Sequence, residues 1–253
     1  MVNAVVLGGG GEDRRLAGFY EGPSKGLIPL CGKPSAQWVL EALRATSAVG
    51  RIALAGPPAL LEHPLSQLVE VRLGGDATIV GKLTAAAEAF DDGRKLLMAT
   101  CDIPLATPSS FGDVVANCPE ECAFFHPLVE KAAALRDFPS HQWVFLKLRE
   151  GGAVTTNVII FDPGWLRRRP DLARTLETLR RHPMRMALRW GIGFLIRFRL
   201  GLLSLPYCES FFSKVLEAPC RGAITSHANL AMDLDRPEDV PMLEEALRRR
   251  SLA

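Results

Sequence analysis

AVVLGGGGEDRRLAGFYEGPSKGLIPLCGKP, residues 4–34, joins a valine-rich apolar run to four consecutive glycines, two arginines and, ten residues further on, a lysine. A short continuous apolar run ended by glycine is the pattern of a strand buried on both faces of a parallel sheet. Ligands of open parallel sheets bind at the carboxyl ends of the strands. Glycine there lets backbone N–H groups approach a ligand with no Cβ in the way, and successive N–H groups form a nest suited to phosphate oxygens. The loop is not a Walker A motif, because no G-K-[ST] follows. It is not the dinucleotide fingerprint either, because G-x-G-x-x-G needs glycine at the sixth place and the loop reads G-G-G-G-E-D. Alone, it is equally a plain tight turn. Arg14, Arg15 and Lys25 shift the balance, since a planar guanidinium and a compact ammonium near one nest suit a triphosphate. The plainer alternative makes all three solvated surface charges.

The elements that follow extend the same pattern. SAQWVLEALRAT reads as a helix with Ser35 as its cap, RIALAG as a strand, and DATIVGKLTAAAEAF as a helix starting near Asp76 or Thr78. KLLMATCDIP is a third buried strand, PSSFGDVVANC a helix, and CAFFHPLV, QWVFLKL and TTNVIIFDP read as strands. Residues 165–217 are predominantly helical in pattern, RGAITS is a late strand, and RPEDVPMLEEALRRR closes the chain as a helix. Strands alternating with helices predict an α/β fold, a Rossmann-like mixed, mostly parallel sheet flanked by helices. No repeat or Pro/Gly/Ser linker divides residues 1–253, so a single domain is expected, with a helical appended lobe at about 165–217.

The bulk numbers narrow the function. Hydrophobic residues make up 48% and the net charge is +2, which suits a globular core and argues against a nucleic-acid partner. Six cysteines are scattered, with only Cys118 and Cys122 close and no second pair to complete a zinc site. Free thiols in a cytoplasmic protein are the simpler reading. MVNAVVLGGG lacks a charged n-region and a long enough apolar run for a signal peptide. MALRWGIGFLIRFRLGLLSL, residues 186–205, is rich in large apolar side chains but carries Arg189, Arg197 and Arg199, which disfavours a membrane span. It reads as a buried helix pair, as a peripheral membrane or lipid-contacting surface, or as a homodimer face.

Two acidic stretches complete the pattern. LLMATCDIPLAT puts Asp102 just past a buried strand, facing the crevice of the glycine loop. LAMDLDRPEDV supplies Asp233 and Asp235. Carboxylates converging on one site suit Mg²⁺, which takes oxygen ligands and substrate phosphates together. In the alternative reading Asp102 is a turn residue, and Asp235 caps the last helix with Pro237 at its first position.

In chain order, the L-x-G-G loop opened by Leu7, then PSKGLIPLCGKP, TCDIPL, an asparagine strand and MDLDRPEDV resemble the MobA-like NTP transferases, over nearly the whole chain. RRHPMRMALRWGIGFLIRFRLGLLSL resembles a stretch of a poorly characterised branch of that family. The resemblance implies the GT-A-like nucleotidyltransferase fold and transfer of an NMP group from an NTP, CTP or GTP, to a small-molecule phosphate or alcohol. It implies that Gly8, Gly9, Gly10 and Gly11 cradle the phosphates with Arg14 nearby. Arg15 and Lys25 would neutralise the triphosphate, and Asp102 and Asp235, with Asp233 in reserve, would hold Mg²⁺. Gly74, Gly75 and Asp76 would lie near the base or the acceptor, and Asn157 would face the acceptor. The chain departs from the family pattern at the spacing of the arginines and at Thr156, where glycine is usual. Two other functions fit parts of the pattern. One is a GT-A-type glycosyltransferase, for which D-L-D at 233–235 has the right form but the wrong place. The other is a non-catalytic nucleotide-binding module at a membrane surface.

Overall fold

The computed structural model describes residues 1–9, 16, 18–75, 78–180 and 191–252. The apolar run becomes β1 (Val2–Leu7), buried at every position. It lies in parallel between β4 (Val49–Ala55) and β6 (Leu96–Thr100), and β5 (Val71–Leu73) extends the sheet beyond β4. Two strands of two residues, β2 (Pro29–Leu30) and β3 (Lys33–Pro34), form a separate hairpin. Beyond β6 the sheet turns antiparallel through β10 (Val158–Phe161), which pairs with β7 (Phe124–Glu130). The same edge of β7 then pairs with β9 (Gly151–Thr155), which carries β8 (Leu146–Leu148). The other edge of β7 carries β11 (Cys220–Thr225) in parallel, making nine strands in one sheet. This is the mixed, mostly parallel-cored sheet expected from the alternation of elements.

Helices cover both faces. On one, α1 (Ser35–Arg44) and α4 (Pro108–Ala116) pack through Val39, Leu43, Phe111 and Val114 onto Val6, Leu54 and Leu97. On the other, α3 (Ile79–Ala89) and α6 (Pro163–Arg168) pack through Ala86, Phe90 and Trp165 onto Val5, Leu96 and Phe161. Trp165 meets Phe124 edge-on at 4.7 Å between ring centroids. The short α2 (Pro58–Glu62) follows β4, and α5 (Lys131–Asp137) follows β7. The helical stretch comprises α6, α7 (Pro170–Arg180), α8 (Ile192–Arg199) and α9 (Leu205–Leu216), and α10 (Asp239–Leu252) ends the chain. Among the described residues no helix is long and apolar enough to cross a membrane.

Local expectations differ from the structure at four places. Ser35 is the first residue of α1 rather than its cap, and its hydroxyl donates 3.0 Å to the Cys101 carbonyl. Of QWVFLKL only Leu146–Leu148 is strand, because Trp143 turns back to donate its indole N–H to the Phe138 carbonyl. TTNVIIFDP is divided, with Thr155 ending β9 and β10 beginning at Val158. Asp235 does not cap the last helix. That helix starts at Asp239, whose Oδ2 accepts from the backbone N–H groups of Asp235 (3.0 Å) and Arg236 (2.8 Å). The carboxylate of Asp235 is thereby left for other work.

Candidate active site

Four parallel strands end together. The register places Leu7 beside Ala55 and Thr100, and Ala55 beside Leu73. Gly8, Gly56, Gly74 and Asp102 therefore leave the sheet at one end. Gly8 is needed for packing: its N–H donates to the Ala55 carbonyl at 2.7 Å, and a Cβ there would collide with Leu60 of α2. Its N–H is thus already used in the sheet, whereas Gly9 has open space where a side chain would go. Gly75 has φ +93°, a left-handed conformation that favours glycine. Gly10, Gly11, Arg14, Arg15 and Asp76 lie outside the described residues.

Lys25 stands on a short 3-10 turn, Lys25–Leu27, capped by Ser24, whose Oγ accepts from the Gly26 N–H at 3.2 Å. A Cβ on Gly26 would lie 3.1 Å from both Ala36 Cβ and Cys101 Sγ, so S-K-G seats the lysine directly against the end of β6. There Lys25 Nζ lies 2.6 Å from Asp235 Oδ1 and 3.4 Å from Asp102 Oδ2. The two acidic stretches, 131 residues apart, are joined by the backbone: the Leu234 N–H donates to the Asp102 carbonyl at 2.8 Å. Met232 and Leu234 are buried beside Leu30 and Leu243, which fixes the alternating aspartates at the surface of that packing. One oxygen each of Asp102, Asp233 and Asp235 lies within 4.8 Å of the others. Asp102 Oδ1 is buried and has no hydrogen-bond partner, and neither has Thr100 Oγ1. An orphaned carboxylate oxygen among three converging carboxylates is what a bound cation would satisfy. Asn157 sits alongside, its carbonyl accepting from the Thr100 N–H at 3.2 Å and its N–H donating to the Leu230 carbonyl at 3.0 Å.

Burial, then the nearby carboxylates of Asp102 and Asp235, push the pKa of Asp233 up to about 7, against a smaller opposing pull from Lys25. A folded-state pKa above the unfolded value means that the native state holds the extra proton. The associated stability is full below about pH 4 and is lost as pH rises through about 7. Asp239 has the opposite sign. Burial works against its carboxylate, but the hydrogen bonds from His141, Arg236 and Asp235 prevail and hold its pKa below the usual range. Its contribution is present above the ordinary aspartate pKa and lost in acid. Metal-free Asp233→Asn is therefore expected to raise Tm by about 5 °C at pH 8 and by almost nothing at pH 4. Thermal melts across that range check it, and an equal gain at both pH values would show that the carboxylate does not titrate in this window.

Sequence reading missed Lys82, which is 9% exposed on α3 and donates 3.2 Å to the Gly8 carbonyl, tying the loop to the helix behind it. It also missed Thr100 and Asp239. Cys101 lies between Thr100 and Asp102, but burial and then the Asp102 charge push its thiol up to about 12, so it stays protonated and is no nucleophile.

The sequence pattern of the MobA-like NTP transferase domain matches residues 4–182. The chain belongs to this family. No curated protein sequence matches the transferase. Among solved structures it resembles a hypothetical transferase from Thermus thermophilus, at 31% identity and TM-score 0.85, over 94% of this chain and 99% of that one. It shares the fold of the 2-C-methyl-D-erythritol 4-phosphate cytidylyltransferase of Thermus thermophilus, at 16% identity and TM-score 0.55 over 98% and 100% of the two chains. It also shares the fold of a CMP:2-keto-3-deoxy-manno-octonic acid synthetase complexed with CTP, at 12% identity and TM-score 0.59 over 99% and 100%. The transferase thus has the GT-A-like nucleotidyltransferase sheet that its motifs resembled.

Proposed function

We propose that this transferase moves an NMP group from an NTP, CTP or GTP, to a phosphate- or hydroxyl-bearing small molecule. The convergence of Asp102, Asp233 and Asp235 beside Lys25 carries the reading. An acceptor oxygen attacks the α-phosphorus in line; the new P–O bond forms as the bond to the β-phosphate oxygen breaks, and pyrophosphate leaves. Asp102 and Asp235, with Asp233, would hold Mg²⁺, which would supply charge neutralisation and orientation of the phosphates. Lys25, with Arg15 and Arg14, neutralises charge that grows on the phosphates. Leu7 and the glycines through Gly11 shape the phosphate loop, with Gly9 the described position open to a ligand. Gly74, Gly75 and Asp76 border the base, and Asn157 the acceptor. Residues 1–253 would work as one domain with the helices after β10 as its appended lobe. All six cysteines are free, which fits the cytoplasm.

A panel of NTPs with and without Mg²⁺ tests this by thermal shift. One pyrimidine or purine triphosphate is expected to raise Tm by about 5–10 °C at a hundredfold excess over its Kd, and the gain is expected to vanish without Mg²⁺. No shift with any NTP would overturn the reading.

A further inference from the structure

The helices after β10 cover a cavity of about 550 Å³ that the nucleotide reading leaves unused. Its floor includes Leu128, Thr155 and Ile159 of the sheet, and its roof Phe194 and Phe198 of α8 and Phe212 of α9. The volume falls in the range of about 300–1,000 Å³ typical of small-molecule sites. The charged side chains along it are already engaged with β11: Glu209 Oε1 accepts from the Gly222 N–H at 2.9 Å, and Arg221 donates to the Cys220 carbonyl at 3.0 Å. His126 also lines it, with Nε2 held 3.1 Å from the Thr156 carbonyl, and burial lowers its pKa, so the ring is neutral at pH 7. A charged ligand would lose hydration here for little return, whereas an aliphatic chain meets a lining that is mostly apolar, Leu128, Ile159, Phe194, Phe198 and Phe212 among it.

Its place on the sheet ties the cavity to the carboxylates. Along β6 and the residues that follow, Leu97, Ala99 and Cys101 are buried, while Met98, which packs against the core under α3 and α6, Thr100 and Asp102 are partly exposed. From the end of β9 across Thr156 and Asn157 into β10, Thr156, Val158 and Ile160 are buried, while Thr155 is exposed and Asn157 and Ile159 are partly exposed. The two partly exposed rows adjoin, since Ile159 is the partner of Met98 and the Asn157 carbonyl accepts from Thr100. One partly exposed row thus links Asp102 through Thr100 and Asn157 to Ile159, which lines the cavity together with Thr155 at the end of β9. β6 ends at Thr100, which at about 3.3 Å per residue stands about 7 Å along the strand from Met98, and Asp102 lies in the turn just beyond it. The roof helix also turns apolar side chains outward: Ile192 is 70% and Ile196 52% exposed, on a helix carrying Arg197 and Arg199. Apolar residues mixed with arginines are the make-up of a helix that rests at a lipid surface.

We infer that the acceptor carries a long aliphatic chain, held in this cavity, with its phosphate or hydroxyl head on the Thr100–Asn157 floor beside Asp102. The head-group half rests on the nucleotidyl-transfer reading; the chain half rests on the cavity alone. Isothermal titration of the full-length protein with n-alkyl phosphates of four to sixteen carbons, kept monomeric and without nucleotide, tests the chain. Affinity is expected to rise about fourfold per methylene and then level off once the cavity is filled. Leu195→Trp and Cys208→Trp, each placing an indole in the lining, are expected to weaken dodecyl phosphate at least tenfold with an unchanged circular-dichroism spectrum. Affinity independent of chain length overturns the inference. So does affinity that climbs without levelling, a criterion that stands even where a tryptophan variant fails to fold. Sedimentation with phosphatidylcholine vesicles doped with hexadecyl phosphate separates the sources. Co-sedimentation lost in Ile196→Glu upholds the site with a bilayer-borne ligand, and monomer binding without co-sedimentation upholds it with a free one. NTP thermal shifts on the same preparation keep the two readings apart: chain binding without an NTP shift sinks nucleotidyl transfer, and an NTP shift without chain binding sinks only the chain site.

Discussion

Asp102→Asn is expected to lower turnover about a thousandfold, while the metal-free protein melts at a higher temperature than wild type at pH 8. The two effects have separate causes. The carboxamide keeps the shape of the side chain, and the hydrogen bond that joins the two acidic stretches runs from Leu234 to the Asp102 carbonyl, which the substitution leaves in place. What disappears is a negative charge with one buried, unpartnered oxygen and the other 3.4 Å from Lys25 Nζ. Losing one anionic ligand from a site that balances phosphate charge costs on the order of 10²–10³ in rate, and loss of the bound cation adds to it. In the metal-free protein the same charge opposes ionisation of Asp233, second only to burial itself, so its removal relieves the native state. A structural aspartate would behave the other way, losing stability with activity. Pyrophosphate release at saturating NTP and metal-free melts decide between them. Near-normal turnover would take Asp102 out of the site, and a fall in both would make it a scaffold residue.

The parts of this molecule legible from sequence are those where chemistry and burial coincide along a short stretch. Val2–Leu7 announces a doubly buried strand because every residue is apolar, and the change to glycine marks where the sheet ends. Asp102 follows β6 by the same logic. The choice among Asp235, Asp233 and Asp239 was less accessible. DLDRPED offers an N-cap signal at Asp235 as good as the one at Asp239. The decision comes from His141, on a distant stretch, which lies 3.5 Å from Asp239 and leaves Asp235 to face Lys25. Lys82 was hidden for a similar reason. Helical spacing in GKLTAAAEA says which residues share a face but not that one face looks onto the Gly8 carbonyl. The glycine run likewise mixes jobs that composition cannot separate. Gly8 yields to Leu60, and Gly9 opens to space. For residues 186–205 all three sequence readings rested on the same side chains. The described part is divided between them: Phe194 and Leu203 are buried, and Ile192, Ile196 and Leu200 are exposed.

Lys25→Met is expected to cost about 10²–10³ in kcat/KM and, in the opposite direction, to strengthen binding of Mg²⁺ by the free protein. The ammonium lies 2.6 Å from Asp235 Oδ1 and 3.4 Å from Asp102 Oδ2, so in the nucleotide-free protein it competes with a cation for the same oxygens. Removing it leaves three carboxylates facing one another and takes away the charge that pulls the Asp233 pKa down, which lowers stability above neutral pH. Added Mg²⁺ restores more in this variant than it gives wild type, and the Tm gain with Mg²⁺ alone measures the difference. Turnover does not recover with it, because the compact charge that Lys25 would bring to the phosphates is missing. Lys25→Arg is no substitute, since a planar fork does not reproduce the compact charge set between Asp235 and Asp102. An Mg²⁺ shift identical in Lys25→Met and wild type would mean that lysine and cation do not share the carboxylates, and the shared site at the end of β6 would have to be given up.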